Sequence, residues 1–268
     1  MNRPLLLIGG GRMGGALLKG WTARGIAPVI VVEPLPSPEL RELARRRVAL
    51  VESVDDLAGV KVRACAVALK PQILKTEAAR LKPFAHAGAT MISIAAGTGV
   101  KTLRKAWGPK ARIVRAMPNT PGAVGRGITA LYAAPGATAK DKALAETLLS
   151  ALGETLWVKS EGAIDTVTAV SGSGPAYVFL LVEALADAAR AEGLPADVAG
   201  TLARATVAGS GALLDSDAAP PAELRRAVTS PGGTTEAALA VLMAKDGLAP
   251  LMKRAVKAAR ERAKALRG

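Results

Sequence analysis

The chain has 268 residues, half of them apolar but only 3% aromatic, with a formal net charge of +14. That length holds two modest domains or one large one, with a core built mainly from Ala, Val, Leu and Ile, and a single cysteine, Cys65, excludes an intramolecular disulfide. Residues 1–161 carry 24 Lys and Arg against 11 Asp and Glu, the remainder 12 against 11; this places the excess cation where a multiply anionic ligand suits it, and without interleaved aromatics to stack on bases no nucleic-acid partner is expected.

Four-residue apolar runs at 5–8, 29–32, 64–67, 91–94 and 112–115 predict buried strands. Helices are predicted between them at 13–24, 38–46, 72–81 and 100–106. Strands at 127–133 and 154–158 flank a helix at 138–151. This alternation implies a parallel sheet with right-handed crossovers. Cys65, inside the third run, reads as a small buried hydrophobe.

After about residue 161 the pattern changes. Val178, Leu181, Val182 and Leu185 follow helical spacing, and Gly193 is a natural stop. A second helix follows Pro195 and runs to about Ser216, and its Gly200, Gly209 and Gly211 suit close helix approach at a helix or subunit interface. Further helices are predicted at 221–228, 234–245 and 248–266, with no strand. The expected architecture is therefore α/β, with a dinucleotide-binding Rossmann domain over 1–161 and an all-helical domain over 162–268. Lys253, Arg254, Lys257, Arg260, Arg262, Lys264 and Arg267 read as a solvated helix end whose cations complement the dipole. No apolar stretch is read as reaching the roughly 18 residues of a membrane span. No signal-peptide pattern is read at the start, so the expected location is the cytoplasm without a membrane partner.

The most informative local pattern is Gly9-Gly10-Gly11-Arg12-Met13-Gly14. It fits G-x-G-x-x-G, follows a predicted strand and opens a predicted helix, the context that gives the pattern its meaning. Gly9 permits the tight turn, Gly11 lets backbone approach a pyrophosphate, and Gly14 lets helix and sheet pack closely. Glu33 ends the second strand about 20 residues on, where a carboxylate accepts hydrogen bonds from the adenosine ribose. Its charge opposes a 2′-phosphate and favours NADH; Arg12, within the turn, partly offsets that.

Two more turns precede helices. Ser171-Gly172-Ser173-Gly174-Pro175-Ala176-Tyr177 puts hydroxyls and a proline in a first turn. Ser230-Pro231-Gly232-Gly233-Thr234-Thr235 exposes amide N–H groups and two hydroxyls at a helix start, which makes a carboxylate site with a hydroxyl beside it. Ordinary N-capping explains the same residues. No metal-ligand cluster is expected.

With these segments the chain resembles the pyrroline-5-carboxylate reductase family nearly end to end. The likeness is carried by Ile8–Met13, Ala68-Leu69-Lys70-Pro71-Gln72, Ser93-Ile94-Ala95-Ala96-Gly97, Arg115-Ala116-Met117-Pro118-Asn119-Thr120-Pro121, Ser171–Tyr177 and Ser230–Thr235, in that order. The resemblance implies reduction of 1-pyrroline-5-carboxylate to L-proline by NADPH or NADH, and a helical dimerisation domain whose dimers assemble into a ring. It places Met13, Ala68, Lys70, Pro71, Ala96 and Asn119 with Gly9, Gly11, Arg12, Gly14 and Glu33 at the cofactor. Ser53 stands where many members carry a ribose-contacting Asn. Glu33 itself departs from a family that usually prefers NADPH. The resemblance further implies a substrate site of Glu161, Ser230, Gly232, Gly233, Thr234 and Thr235. The Thr235 hydroxyl is the expected partner of the ring nitrogen; His86, the only histidine, has no expected role. Competing readings are a dinucleotide-sensing binding protein and another imine or β-hydroxyacid oxidoreductase. The hydroxyacid enzymes use a lysine on the first long helix of the helical domain, and 174–192 contains none.

Overall fold

The computed structural model describes residues 3–44 and 48–267. Contacts divide the chain into two units. One runs to Ser173 and takes back the chain from Ala259 onward, and the other is Gly174–Ala258.

The first unit is a three-layer α/β domain. Its strands are β1 (Leu5–Ile8), β2 (Val29–Val32), β3 (Val48–Val51), β4 (Ala64–Val67), β5 (Thr90–Ser93), β6 (Arg112–Met117), β7 (Gly127–Ala133) and β8 (Gly153–Trp157). Its helices are α1 (Arg12–Ala23), α2 (Pro38–Leu43), α3 (Pro71–Glu77), α4 (Lys82–His86), α5 (Val100–Trp107), α6 (Ala139–Leu149) and α7 (Ala163–Val167). The spatial order is β3-β2-β1-β4-β5-β6-β7-β8. Leu5 pairs with both Val29 and Ala64, and Ile8 with both Val32 and Val67, so the central strands end level.

The sheet is not wholly parallel as expected, because β7 runs antiparallel to β6. Only a short stretch with one 3₁₀ turn, Thr120–Val124, links them, and a parallel return needs a crossover of a dozen or more residues. α6 supplies that crossover between β7 and β8, which are parallel. Strand β3 is not among the expected strands. It has four residues and sits beside Arg45–Arg47, and the expected end of the second helix at 45 and 46 lies outside the described residues. The helix expected at 72–81 closes as α3 followed by a 3₁₀ turn, Ala78–Leu81. Pro83 then sits in the first turn of α4, where its missing N–H breaks no bond.

Side-chain alternation along the strands builds a core on each face. Leu6, Ile8, Cys65, Met91 and Ile113 pack with Leu74, Phe84, Leu103 and Trp107. Leu5, Leu7, Val31, Ile92 and Val114 pack with Leu17, Leu18, Trp21 and Leu148 on the other face. Both buried indoles are satisfied: Trp21 donates to the Leu148 carbonyl at 2.7 Å and Trp107 to that of Ala78 at 2.9 Å. Burial pushes the Cys65 thiol far up, so it packs as a hydrophobe, as expected, and supplies no thiolate.

The second unit contains α8 (Gly174–Ala191), α9 (Ala196–Ser216), α10 (Pro221–Ala227), α11 (Thr234–Leu242) and the start of α12 (Leu248–Arg267). No strand occurs in it among the described residues. Ala199 and Ala203 of α9 are buried, whereas Phe179, Leu180 and Leu181 of α8 and Leu202, Leu213 and Leu214 of α9 are exposed on the single chain.

One expectation needs correction. α7 continues through a widened turn, Thr168–Gly172, into α8, giving a 29-residue helix, Ala163–Ala191, whose best 18-residue window has mean hydropathy 1.4. That is long and apolar enough to cross a membrane by length and composition. In sequence the Gly-Ser-Gly-Pro segment reads as a break before a separate helix. The widened turn lies just before Pro175, whose ring disturbs a regular ladder, and keeps the helix whole.

Candidate active site

The first site lies where β1 and β4 part, beyond the C-terminal ends of the parallel strands, the usual ligand position in an open α/β sheet. Backbone bonding carries the ladder one residue past each strand: Gly9 N–H donates to Val32, Ala68 to Ile8 and Glu33 to Val51. The start of the glycine turn is therefore tied to the end of β2.

Gly9 and Gly14 each have a steric reason. Gly9 has φ +94°, and an added Cβ would stand 2.9 Å from the Ala68 carbonyl oxygen. A Cβ on Gly14 would run into the Gly9 carbonyl oxygen. At Gly11 nothing lies within 4 Å of that position, so the turn opens outward there. Gly11 is the N-cap of α1, which has no side-chain cap and no acidic residue in its first turn. The first amides of α1, from Arg12 onward, have no intrahelical acceptor, and the helix dipole favours an anion. This arrangement fits a dinucleotide pyrophosphate.

Two cavities flank the turn. One, of about 390 Å³, is lined by Gly11, Arg12, Lys19 and Ser37. The other, of about 380 Å³, is lined by Gly9, Glu33, Glu52, Ser53, Leu69 and Arg80, among others. The structure thus brings Glu33 and Ser53 to one cavity. Glu33 is fixed there, accepting from Gly10 N–H at 2.7 Å and Leu35 N–H at 3.2 Å. Ser53 caps a 3₁₀ turn by accepting from Asp55 N–H at 3.1 Å, and also accepts from Arg80 at 2.9 Å. Lys70, exposed, is the N-cap of α3 and Pro71 its first residue. Ala96 follows β5 and Asn119 follows β6 along the same edge. The Asn119 side chain accepts from Ile128 N–H at 2.9 Å, bracing the start of β7. His86 ends α4 ahead of β5, at the opposite edge.

Glu161 is built into the sheet edge. Its Oε1 accepts from Val100 N–H at 2.6 Å and from Arg115 Nη1 at 2.7 Å, and Arg115 is only 3% exposed. It therefore caps α5 and neutralises a buried cation. In sequence Arg115 stands only as part of a strand and a motif; a charge inside a buried central strand is the signal that it needs a partner. The end of α12 packs nearby: Arg267 pairs with Asp165 at 3.2 Å, and a Cβ on Gly97 would stand 3.1 Å from that of Leu266.

The Ser230–Thr235 turn belongs to the second unit. Gly232 has φ +69°, and its N–H donates to Glu236 at 2.7 Å, while Gly233 N–H donates to the Ser230 carbonyl at 3.0 Å. The amides of Gly232 and Gly233, in the segment expected to form a carboxylate site, are thus spent within the turn. Gly233 is the N-cap of α11, so the unspent first-turn amides are those of Thr234, Thr235 and Glu236. Ser230 and Thr234 are exposed and Thr235 half-buried. No cluster of metal-ligating side chains occurs among the described residues.

Comparison with known proteins gives two family matches. Residues 161–266 match the family model for pyrroline-5-carboxylate reductase dimerisation, and residues 5–97 match that for coenzyme F420-dependent NADP oxidoreductases. A pyrroline-5-carboxylate reductase of Pseudomonas aeruginosa is 38% identical over 98% of this chain and 96% of its own length. One from Synechocystis is 38% identical over 99% of both. Among solved structures, a pyrroline-5-carboxylate reductase from Coxiella burnetii superposes with a TM-score of 0.89 at 35% identity, covering 100% of both chains. The Plasmodium falciparum enzyme, solved with NADP bound, gives 0.82 at 29% identity over 100% of this chain and 99% of its own.

Proposed function

The chain belongs to the pyrroline-5-carboxylate reductase family, and we infer from that membership that it reduces 1-pyrroline-5-carboxylate to L-proline with NAD(P)H, the last step of proline biosynthesis. The observation that carries this reading is end-to-end similarity to such reductases together with an intact dinucleotide turn at Gly9–Gly14. When bound, the reduced nicotinamide supplies the hydride that C5 of the substrate C=N accepts.

The chain's own residues would do the rest by positioning. Gly9, Gly11, Met13 and Gly14 shape the turn, and the free amides from Arg12 onward, with the Arg12 side chain nearby, hold the pyrophosphate. Glu33 and Ser53 face the adenosine ribose; Ala68, Lys70, Pro71, Ala96 and Asn119 line the path toward the nicotinamide. The Ser230–Thr235 turn, including Gly232, Gly233 and Thr234, receives the substrate carboxylate on its unspent amides. The Thr235 hydroxyl hydrogen-bonds the ring nitrogen and orients it while the nitrogen gains its proton. A neutral Thr is too weak an acid to act as a conventional general acid, so that proton is relayed from water. Glu161 acts on the substrate side through the edge that it holds together with Arg115.

The protein is an oligomer acting on a small molecule. We take residues 1–161 as the cofactor domain and 162–268 as the substrate and dimerisation domain, a division supported by the start of the dimerisation match at residue 161. Homodimers built through the exposed apolar faces of α8 and α9 would assemble into a larger ring, in the cytoplasm. The test is an initial-rate assay of NADH and NADPH oxidation with the imine. Imine-dependent oxidation with either cofactor supports the function; cofactor binding without consumption refutes it.

A further inference from the structure

A third cavity, of about 330 Å³, lies between α3 with its following 3₁₀ turn and α5. Its described lining shares no residue with the two cavities that flank the glycine turn. Leu74, Ala78 and Leu103 form its floor; all three are buried and belong to the core on that face of the sheet. Lys75 of α3 and Lys105 of α5 stand on its two walls, both exposed. No carboxylate occurs in the described lining. Glu77, two residues past Lys75, accepts from Arg80 and lines the cavity beside Glu33 instead. Neither lysine has an ion-pair partner among the described residues.

Thr98 lines the same cavity where α5 begins, one residue before the N-cap Gly99. It is only 6% exposed, yet its hydroxyl has no hydrogen-bond partner among the described residues. Buried polar groups are nearly always bonded, so an exception in a cavity wall marks a place for a partner from outside. Beside lysines, which only donate, a hydroxyl that can donate is complemented by an anionic acceptor. The buried apolar floor is complemented by a hydrocarbon body. Small-molecule sites combine such apolar walls with a few polar groups, in volumes of roughly 300–1,000 Å³.

We propose that the groove between α3 and α5 is a binding site for a small amphipathic carboxylate. Its hydrocarbon chain covers Leu74, Ala78 and Leu103, while its carboxylate accepts from the Thr98 hydroxyl and pairs with the lysines of the two walls. The site is separate from the dinucleotide turn and stands whether or not the chain reduces the imine. The probe is octanoate, titrated into the full chain and followed by calorimetry; saturable binding at a single class of site is expected. Octanol, with the same chain and no charge, should bind at least about tenfold more weakly. Lys75→Met with Lys105→Met keeps the stems, removes both charges and should weaken octanoate at least about tenfold. Thr98→Val, which keeps the shape and removes the hydroxyl, should weaken it at least about threefold.

Absence of saturable octanoate binding overturns the proposal, and so does octanol binding as tight as octanoate. Affinity unchanged in Lys75→Met with Lys105→Met, whose exposed positions spare the fold, overturns it too, by placing octanoate elsewhere, such as on the exposed leucines of α8 and α9. Wild-type affinity in folded Thr98→Val shows that solvent alone satisfies that hydroxyl and removes the built site. A lower oligomer mass in sedimentation for Lys75→Glu with Lys105→Glu, without octanoate binding to the wild type, gives the groove to a neighbouring copy of the chain and refutes the proposal.

Discussion

Removal of the Glu161 carboxylate should destabilise the cofactor domain before it disturbs any chemistry. One oxygen, Oε1, serves both Val100 N–H at 2.6 Å and Arg115 at 2.7 Å. Breaking a fully buried ion pair by deleting one partner costs about 3–5 kcal/mol. Glu161 is 25% exposed although Arg115 is 3% exposed, so water reaches the gap and about 2 kcal/mol is the better figure for that part. Loss of the α5 cap adds about 1 kcal/mol. With a urea m-value of roughly 2–3 kcal/mol/M, Glu161→Ala should lower the midpoint by about 1 M. The comparison must be made at one protein concentration, because oligomer stability depends on it. In the double variant Glu161→Leu with Arg115→Met, an apolar pair should restore most of the loss. A single variant within about 0.5 kcal/mol of wild type would show that the buried cation does not depend on Glu161.

Gly14→Ala forces a Cβ against the Gly9 carbonyl oxygen; binding of both NADH and NADPH should weaken at least about tenfold, roughly 1.4 kcal/mol, with far-UV circular dichroism unchanged. Thr235→Ala should lower kcat/KM for the imine by at least about tenfold, with cofactor Kd unaltered and Thr235→Ser largely restoring the rate; unchanged kcat/KM would take Thr235 out of the mechanism. Burial alone would raise the Asp141 carboxyl, but hydrogen bonds from the Thr138 and Thr90 hydroxyls and the Thr138 amide, with Arg112 beside it, hold it below its ordinary value. Its stabilisation is therefore complete above the unfolded pKa of about 3.9 and lost as pH falls through the lower folded value. Asp141→Asn should accordingly cost stability at pH 6 and flatten the decline below pH 4 in urea titrations.

Those parts of the molecule that rest on local pattern were legible from the chain. The strand at 127–133 and the helix from Ala196 to Ser216 occur as expected, because apolar runs and a Pro195 start are written in neighbouring residues. The direction of β7 was not, since antiparallel pairing depends on how far a 3₁₀ connection reaches. β3 was hidden by its brevity. The glycine turn was legible because its context of strand, turn and helix is also local. What the sequence could not display is competition for the same groups. Gly232 and Gly233 look like free donors until Glu236 and the Ser230 carbonyl are seen to occupy them. Nothing local to Glu161 announces its pairing with the buried Arg115, 46 positions away in sequence. The exposed apolar faces of α8 and α9 belong to the stretch that matches a dimerisation domain.

The most direct measurement follows reduced-cofactor oxidation and proline formation together in one reaction containing the purified chain and 1-pyrroline-5-carboxylate. One proline should appear for each NADH or NADPH consumed, with no consumption when the imine is left out. Cofactor that binds but is not oxidised, or oxidation that proceeds without proline, would contradict the assignment.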